Sequence, residues 1–326
     1  MSQQILTLYT RTPLHVGCGT SVDVVDLPIT RERITNFPVI PSSGLKGVLR
    51  DAARHHFGRE GESKTRLLFG EDRKLNSDSA KGDVIEAHAG CVQIIEAKLL
   101  AFPVRSLKGC FAWLTCPSAL LRFHRDTGKL TTNDEHGQVV PITIPTVCPG
   151  QAIAGSEITD GSHVFLEEYT VESVEGDLGS IVALEGADGE LGGVVESVEG
   201  DLGSIVSALK PLCDDTLWQV KLAARLALIS DEDFQHFVTT CTEVVQRVAI
   251  DPATRVVKKG GLFSQENVPC ETLFYSVLTL LPTRQAQAAV LSTDLTALLT
   301  ANPVLQIGGD ETTGHGFCTA KPILLP

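Results

Sequence analysis

Apolar and polar positions alternate through residues 4–13 with a period of two, and this predicts a strand. The apolar run Phe37–Ile40 reads as a second, shorter strand. After it the period lengthens. Leu45, Val48, Leu49 and Ala52 lie on one helical face, with Ser42 or Ser43 in the capping position and Gly58 past the end, which predicts a helix to about His56. Val92–Ala101 and Cys110–Thr115 are strand-like, and Pro117 opens a helix that runs through about Arg125. Ser230 with Asp233 resembles a capping pair for a helix over 231–246. Thr272–Leu280 predicts a strand, 284–299 a helix and Val304–Ile307 a strand. Within 248–269, Asp251-Pro252-Ala253-Thr254 is a turn signal between two candidate strands. Strands and helices interspersed in this way predict an α+β fold with an open sheet.

Composition narrows the class. The chain has 326 residues and is 43% hydrophobic but only 5% aromatic, so its core must be aliphatic. The polar start Ser2-Gln3-Gln4 lacks the pattern of a signal peptide, and no apolar stretch approaches the roughly 18 residues of a membrane span. The expected setting is soluble and cytoplasmic, without a membrane partner. Nine cysteines without a CxxC pair point to reduced thiols rather than a zinc cluster or a disulfide framework.

The formal net charge of −13 argues against a nucleic-acid partner until it is located. Residues 130–209 contain 15 acids and no Lys or Arg, and the remainder of the chain is net +2. A local basic face is what nucleic acid requires. The same acidic segment holds an internal repeat: VESVEGDLGSIV occurs at 171–182 and again at 195–206. Two copies are too few for a solenoid, so the repeat reads as an exposed insertion of about 171–206.

Four places carry candidate chemistry. Lys46, Arg50 and Arg54 share one face of the helix after Ser43, with Gly44 and Gly47 in its opening turns; this is either a phosphate site or an ordinary solvated face. Gly308, Gly309, Thr312, Thr313, Gly314, His315 and Gly316 follow a strand and form either a backbone nest around a phosphate or a plain turn. The loop from His15 to Arg33 holds Asp23 and Asp26. A carboxylate there could hold a divalent cation, accept a proton from an attacking hydroxyl, or simply form a turn. The hairpin 248–269 is basic, with Arg247, Arg255, Lys258 and Lys259, and carries Leu262 and Phe263 after Gly260-Gly261.

Five stretches in order resemble one family. They are the run from Leu8 to Arg50, Phe102–Gly109 (FPVRSLKG), Leu166–Tyr169 (LEEY), Gly260–Tyr275 (GGLFSQENVPCETLFY) and Gln306–Phe317 (QIGGDETTGHGF). Together they resemble the major backbone subunits of the Cmr complex, the type III-B CRISPR effector, in the RAMP superfamily. The resemblance implies a single RAMP domain over 1–326, with a ferredoxin-like core related to the RNA-recognition motif and an inserted thumb β-hairpin. It implies copies stacked as a filament along guide CRISPR RNA, beside other Cmr subunits. Each thumb flips a nucleotide, and complementary target RNA is cut at six-nucleotide intervals with a divalent cation, Mg²⁺. The family's catalytic aspartate matches Asp26, in the context Val24-Val25-Asp26, and its loop histidine matches His15. Its lysine after the loop serine matches Lys46 after Ser43, with Arg50 on the same face, and its glycine loop matches Gly308–Gly316. Arg105 and Lys108 are further candidates for the guide strand. Near 265 the family has an acid and a tyrosine; here Gln265 and Glu266 are followed by Asn267, which leaves any catalytic help from that segment open. The alternatives are a filament subunit without nuclease activity and a guide-processing nuclease acting alone.

Overall fold

The computed structural model describes residues 2–20, 24–70, 89–133, 139–174, 202–281 and 288–325. In chain order the elements used below are β1 (Ser2–Thr10), α1 (Ser42–Phe57), α2 (Glu62–Phe69), β2 (Ala97–Arg105), β3 (Phe111–Thr115) and α3 (Pro117–Thr127). They continue with β4 (Gln151–Ala154), β5 (Tyr169–Ser173), α4 (Leu202–Leu209), α5 (Thr216–Arg225), β6 (Leu226–Ile229) and α6 (Asp231–Thr240). Last come β7 (Glu243–Ile250), β8 (Val257–Asn267), β9 (Leu273–Leu280), α7 (Ala288–Ala301), β10 (Val304–Gln306) and β11 (Phe317–Leu324).

Alternation along the central strands feeds two cores, one on each face of a single sheet. Leu6 and Leu8 of β1 face one core, whereas Ile5 and Tyr9 face the other. On β9, Phe274 and Leu278 sit with the first pair, Leu273 and Tyr275 with the second. Helices α1 and α7 cover the first face through Leu45, Leu49, Leu295 and Leu298. Helices α3, α4 and α5 cover the other through Leu120, Phe123, Ile205, Trp218 and Leu222. A strand buried on both faces tolerates few polar side chains, and β1 is buried continuously from Gln4 to Thr10.

The sheet has thirteen strands: eleven in the path β10-β11-β1-β9-β2-β3-β6-β4-β5, extended by short strands at His163–Leu166 and Thr159–Asp160, and two off it, Val39–Ile40 beside β2 and Val92–Ile94 beside β9. It is mixed: β3 and β6 run parallel, as do β4 and β5, and the other pairs in the path are antiparallel. Its centre, β11-β1-β9-β2, is antiparallel throughout, with α1 between β1 and β2 in the chain and α7 between β9 and β11. Strands β7 and β8 lie outside this sheet and form a two-stranded hairpin of their own.

Several boundaries differ from the sequence reading. Neither Ser42 nor Ser43 caps α1: the N-cap is Pro41, without a side-chain cap bond. Ser230 does cap α6, its Oγ accepting from the Asp233 N–H, but that helix stops at Thr240 rather than 246. The β-branched run that follows prefers extended backbone, and Glu243–Ile250 pairs as β7. The expected strand Val92–Ala101 is divided, with Val92–Ile94 pairing β9 apart from β2. The predicted helix 284–299 is α7, with 284–287 outside the described residues.

The described ends of the acidic insertion are anchored in the protein, and the exposed segment expected between them lies outside the described residues. Val171 on β5 is buried, and so are Ile205 and Val206 on α4. The first repeat copy therefore supplies a strand end and the second a helix start; 175–201 lies outside the described residues. Deleting residues 175–198 would rejoin these anchors through a single VESVEGDLGSIV. We expect the unfolding free energy of that variant, from urea titration, to change by less than about 0.5 kcal/mol, the range of changes away from packed features.

A partly buried ion cluster ties α3 to the sheet. Lys98 Nζ lies 2.7 Å from Asp126 Oδ2, and the Tyr275 hydroxyl donates to the same oxygen at 3.0 Å. Burial pushes the Asp126 carboxyl up, but Lys98, Tyr275 and Arg125 bonded to it outweigh burial and hold it below the usual carboxylate value. A depressed folded pKa contributes stability above the unfolded value, about 3.9, and loses it as pH falls through the folded one. Asp126→Asn should cost about 1–2 kcal/mol at neutral pH, between an exposed pair and the roughly 3–5 of a fully buried one, and should flatten the acid loss of stability below about pH 4. Urea unfolding across pH reads both.

Candidate functional site

The end of β8 organises the site. Ser264, Gln265, Glu266 and Asn267 are consecutive, polar and buried, at 4%, 2%, 7% and 0% exposure. Buried polar groups demand partners: Ser264, Gln265 and Glu266 find theirs in distant parts of the chain, and Asn267 Oδ1 accepts from Gln265. Successive side chains of a strand point to opposite sides, so one short segment can hold loops on both.

Ser264 takes Asp26. Its backbone N–H donates to Asp26 Oδ2 at 2.7 Å and its hydroxyl donates to the same oxygen at 2.9 Å. The Asp26 N–H in turn donates to Ser264 Oγ at 3.0 Å. These donors, the backbone N–H first and the hydroxyl second, hold the Asp26 carboxyl below the usual carboxylate range. The register is set beside it: the Leu27 N–H donates to Ser264 O and the Glu266 N–H to Leu27 O. Asp26 itself is exposed.

Glu266 closes the loop. Its carboxylate accepts the Ile29 N–H at 3.0 Å, the Arg31 guanidinium at 2.5 Å and the Thr242 hydroxyl at 2.8 Å. Its backbone carbonyl lies 2.6 Å from His15 Nδ1. The Glu266 carboxylate is thus engaged in clasping the 27–31 segment and the foot of β7. Asp23 lies outside the described residues.

Gln265 faces the glycine loop, its Nε2 donating to Asp310 Oδ2 at 2.6 Å. Arg247 of β7 reaches the same oxygen at 3.3 Å and lies 3.2 Å from His315 Nε2. The His15 carbonyl accepts the Gly309 N–H at 2.9 Å. His15, Asp26 and the loop 308–316 therefore meet on one strand end. Sequence reading missed Arg247 as a link in this contact and Ser264 altogether; a serine beside an apolar pair carries no signal of its own.

The glycine loop differs from an open phosphate nest. The N–H groups of Gly309, Thr313, Gly314, His315 and Gly316 donate to His15, Asp310, Glu311, Asp310 and Pro13 carbonyls respectively. Those donors are satisfied within the protein. The exposed groups there include the Thr312 and Thr313 side chains and the backbone of Gly308, Gly309 and Gly314.

Helix α1 begins close to the Asp26 loop, because Thr30 and Val39 are joined by a backbone hydrogen bond three residues before Ser42. Ser42, Ser43, Gly44 and Gly47 are exposed, and Lys46 makes no hydrogen bond or ion pair among the described residues. A Cβ placed on Gly44 or Gly47 would meet open space. Helical glycine costs roughly 1 kcal/mol relative to alanine, and internal packing does not require it here. Close approach of a partner from outside would. Arg50 turns away from this opening and donates to the Phe69 carbonyl at the end of α2, with its Nε buried. Arg105 is paired with Glu167 and Glu168, and Lys108 with Asp160.

The hairpin β7–β8 leads away from the site. Asp251 turns its tip by accepting the Ala253 and Thr254 N–H groups. Val244, Val245, Val248, Ile250, Val257 and Leu262 are all exposed along it. No cluster of three or more His, Cys, Asp or Glu suited to a metal occurs among the described residues, and no described helix is long and apolar enough to cross a membrane.

Comparison with known proteins shows the family. Residues 7–319 match the model of the RAMP superfamily. A Pyrococcus furiosus protein named CRISPR system Cmr endoribonuclease Cmr4 is 34% identical over 317 residues, covering 97% of this chain and 94% of that one. A Saccharolobus solfataricus protein named CRISPR system CMR subunit Cmr4 is 26% identical, covering 94% and 92%. The crystal structure of oligomeric Cmr4 from Pyrococcus furiosus superposes with a TM-score of 0.67 at 30% identity, covering 100% of this chain and 99% of that one.

Proposed function

The chain belongs to the RAMP superfamily, and we propose that within it this protein is a backbone subunit of a type III-B CRISPR effector that cleaves RNA. In this reading several copies stack along guide CRISPR RNA beside other Cmr subunits in the cytoplasm, and complementary target RNA is cut at six-nucleotide intervals. One observation carries it: segments as far apart as His15, Asp26 and Gly308–Gly316 converge on the end of β8. The relatives' names support the activity and the assembly.

The antiparallel order β11-β1-β9-β2, with its two connecting helices, supports a ferredoxin-like core. The free-standing, apolar hairpin β7–β8 supports a thumb that wedges between bases. Guide phosphates would lie along Ser43, Gly44, Lys46 and Gly47 and the exposed side of the glycine loop. Such contacts position RNA without reading its sequence, which is left to base pairing. Arg105 and Lys108 sit in exposed ion pairs worth little in water, so phosphate can replace their carboxylates. Arg50 spends one guanidinium donor on the Phe69 carbonyl, which leaves Lys46 as the better-placed cation of the two.

An aspartate is ionised at neutral pH, and Ser264 lowers the Asp26 pKa further, which makes it a weaker general base there. It is better suited to holding a cation or to placing a fixed negative charge. Magnesium commonly takes one or two carboxylates together with phosphate oxygens, so one exposed aspartate fits an ion shared with RNA. When bound, the ion would stabilise charge at the scissile phosphate. His15, fixed through Glu266 and Gly309, would orient the reacting group. Labelled target in the assembled complex should yield fragments six nucleotides apart with magnesium and none with a chelator. Intact RNA under both conditions would favour a filament without nuclease activity.

A further inference from the structure

We propose that Ser264 is a positioning residue for cleavage: it clamps one carboxylate oxygen of Asp26 and turns the other toward RNA. The inference rests on Asp26 being the cleaving carboxylate and adds what makes that carboxylate competent.

Asp26 is exposed on a loop and would otherwise sample several rotamers. Two donors of one residue converge on its Oδ2, at 2.7 Å from the backbone N–H and 2.9 Å from the hydroxyl. The same hydroxyl accepts the Asp26 N–H at 3.0 Å, so a single oxygen ties both the side chain and the backbone of Asp26. Ser264 is only 4% exposed, so water does not readily substitute for it. Its place is itself set by strand register, since Leu27 brackets Ser264 and Glu266 through two backbone bonds. A slip of one residue would present Gln265 instead, whose longer side chain points to the opposite side of β8. Groups that orient a ligand carboxylate commonly account for 10- to 100-fold in activity without touching substrate.

The test compares Ser264→Ala with the isosteric pair Ser264→Thr and Ser264→Val in the assembled complex. Single-turnover target cleavage and target-RNA affinity are measured for each, with Asp26→Ala alongside. In Ser264→Ala, cleavage should fall about 10- to 100-fold while affinity stays within about twofold. Thr retains a hydroxyl and should recover most of the rate; Val has the same shape without it and should behave like Ala. The ¹³C titration of the Asp26 carboxyl should move up toward the ordinary carboxylate range in Ala and Val but not in Thr. Equal rates for Thr and Val, or full activity of Ser264→Ala while Asp26→Ala is inactive, would overturn the proposal. A loss of affinity matching the loss of rate would also overturn it, since Ser264 would then serve folding or binding. Full activity of Asp26→Ala is a different failure: it removes the assignment of Asp26, and this inference falls with it.

Discussion

Asp26→Ala should abolish target cleavage, lowering the single-turnover rate by about 100- to 1000-fold while leaving assembly and RNA affinity intact, as for removal of one preorganised electrostatic group. The structure makes this a clean experiment. Asp26 is exposed, so its loss opens no cavity. The loop around it is held independently: the Leu27 backbone bonds β8, the Ile29 N–H bonds Glu266, and Arg31 bonds Glu266, Asn36 and Val238. Removing the carboxylate takes an acceptor from the buried Ser264 N–H and hydroxyl, so urea unfolding of the variant is measured alongside to separate the rate loss from any loss of stability. Asp26→Asn should show nearly the same loss, since it keeps the shape and removes the charge. Undiminished cutting at six-nucleotide steps in either variant would remove Asp26 from the reaction.

The second large effect is on the glycine loop. Gly308 has φ +82°, and a Cβ there would stand 2.2 Å from the His15 carbonyl oxygen and 2.9 Å from its carbon. A left-handed backbone alone costs an alanine about 1 kcal/mol. The collision adds more, because its partner is backbone and cannot rotate away. Gly308→Ala should therefore destabilise the protein by about 2–4 kcal/mol in urea unfolding. It should also break the Gly309–His15 bond and lower cleavage in material that still folds. Gly44→Ala is the control: open space surrounds that position, so stability should rise by about 1 kcal/mol while guide-RNA affinity falls. If Gly308→Ala were as stable as the parent, the tight contact between the two loops would be wrong.

Legibility differed by level. The capping serine of α6, the proline that opens α3 and the turn at Asp251 are local features, and each stands where its residues imply. The helix end at 240 was misplaced because apolar periodicity continues into Val244, Val245 and Val248, where β-branching and pairing with β8 prevail. Ser43 looked like a cap because its residue type suits one, yet Pro41 takes that place. In the site, Asp26, His15 and Lys46 were singled out by resemblance, whereas local chemistry alone left Asp26 equally a turn residue. Arg50 has the right spacing for a basic face, but α2 packs close enough to capture its guanidinium.

By itself the sequence determined several of the core strands and helices, where charge is concentrated, and which family's residues recur in order. Those properties are written in neighbours a few positions apart or in matched words. Tertiary structure alone decided that four consecutive polar residues on β8 would be buried and that three of them would bind distant loops. It also decided that Gly309 and Gly316 of the glycine loop donate to the His15 and Pro13 carbonyls and that Ser264 grips Asp26. Such contacts span well over two hundred residues of chain. Only the pairing of strands across the sheet and the hairpin brings those partners within hydrogen-bonding distance.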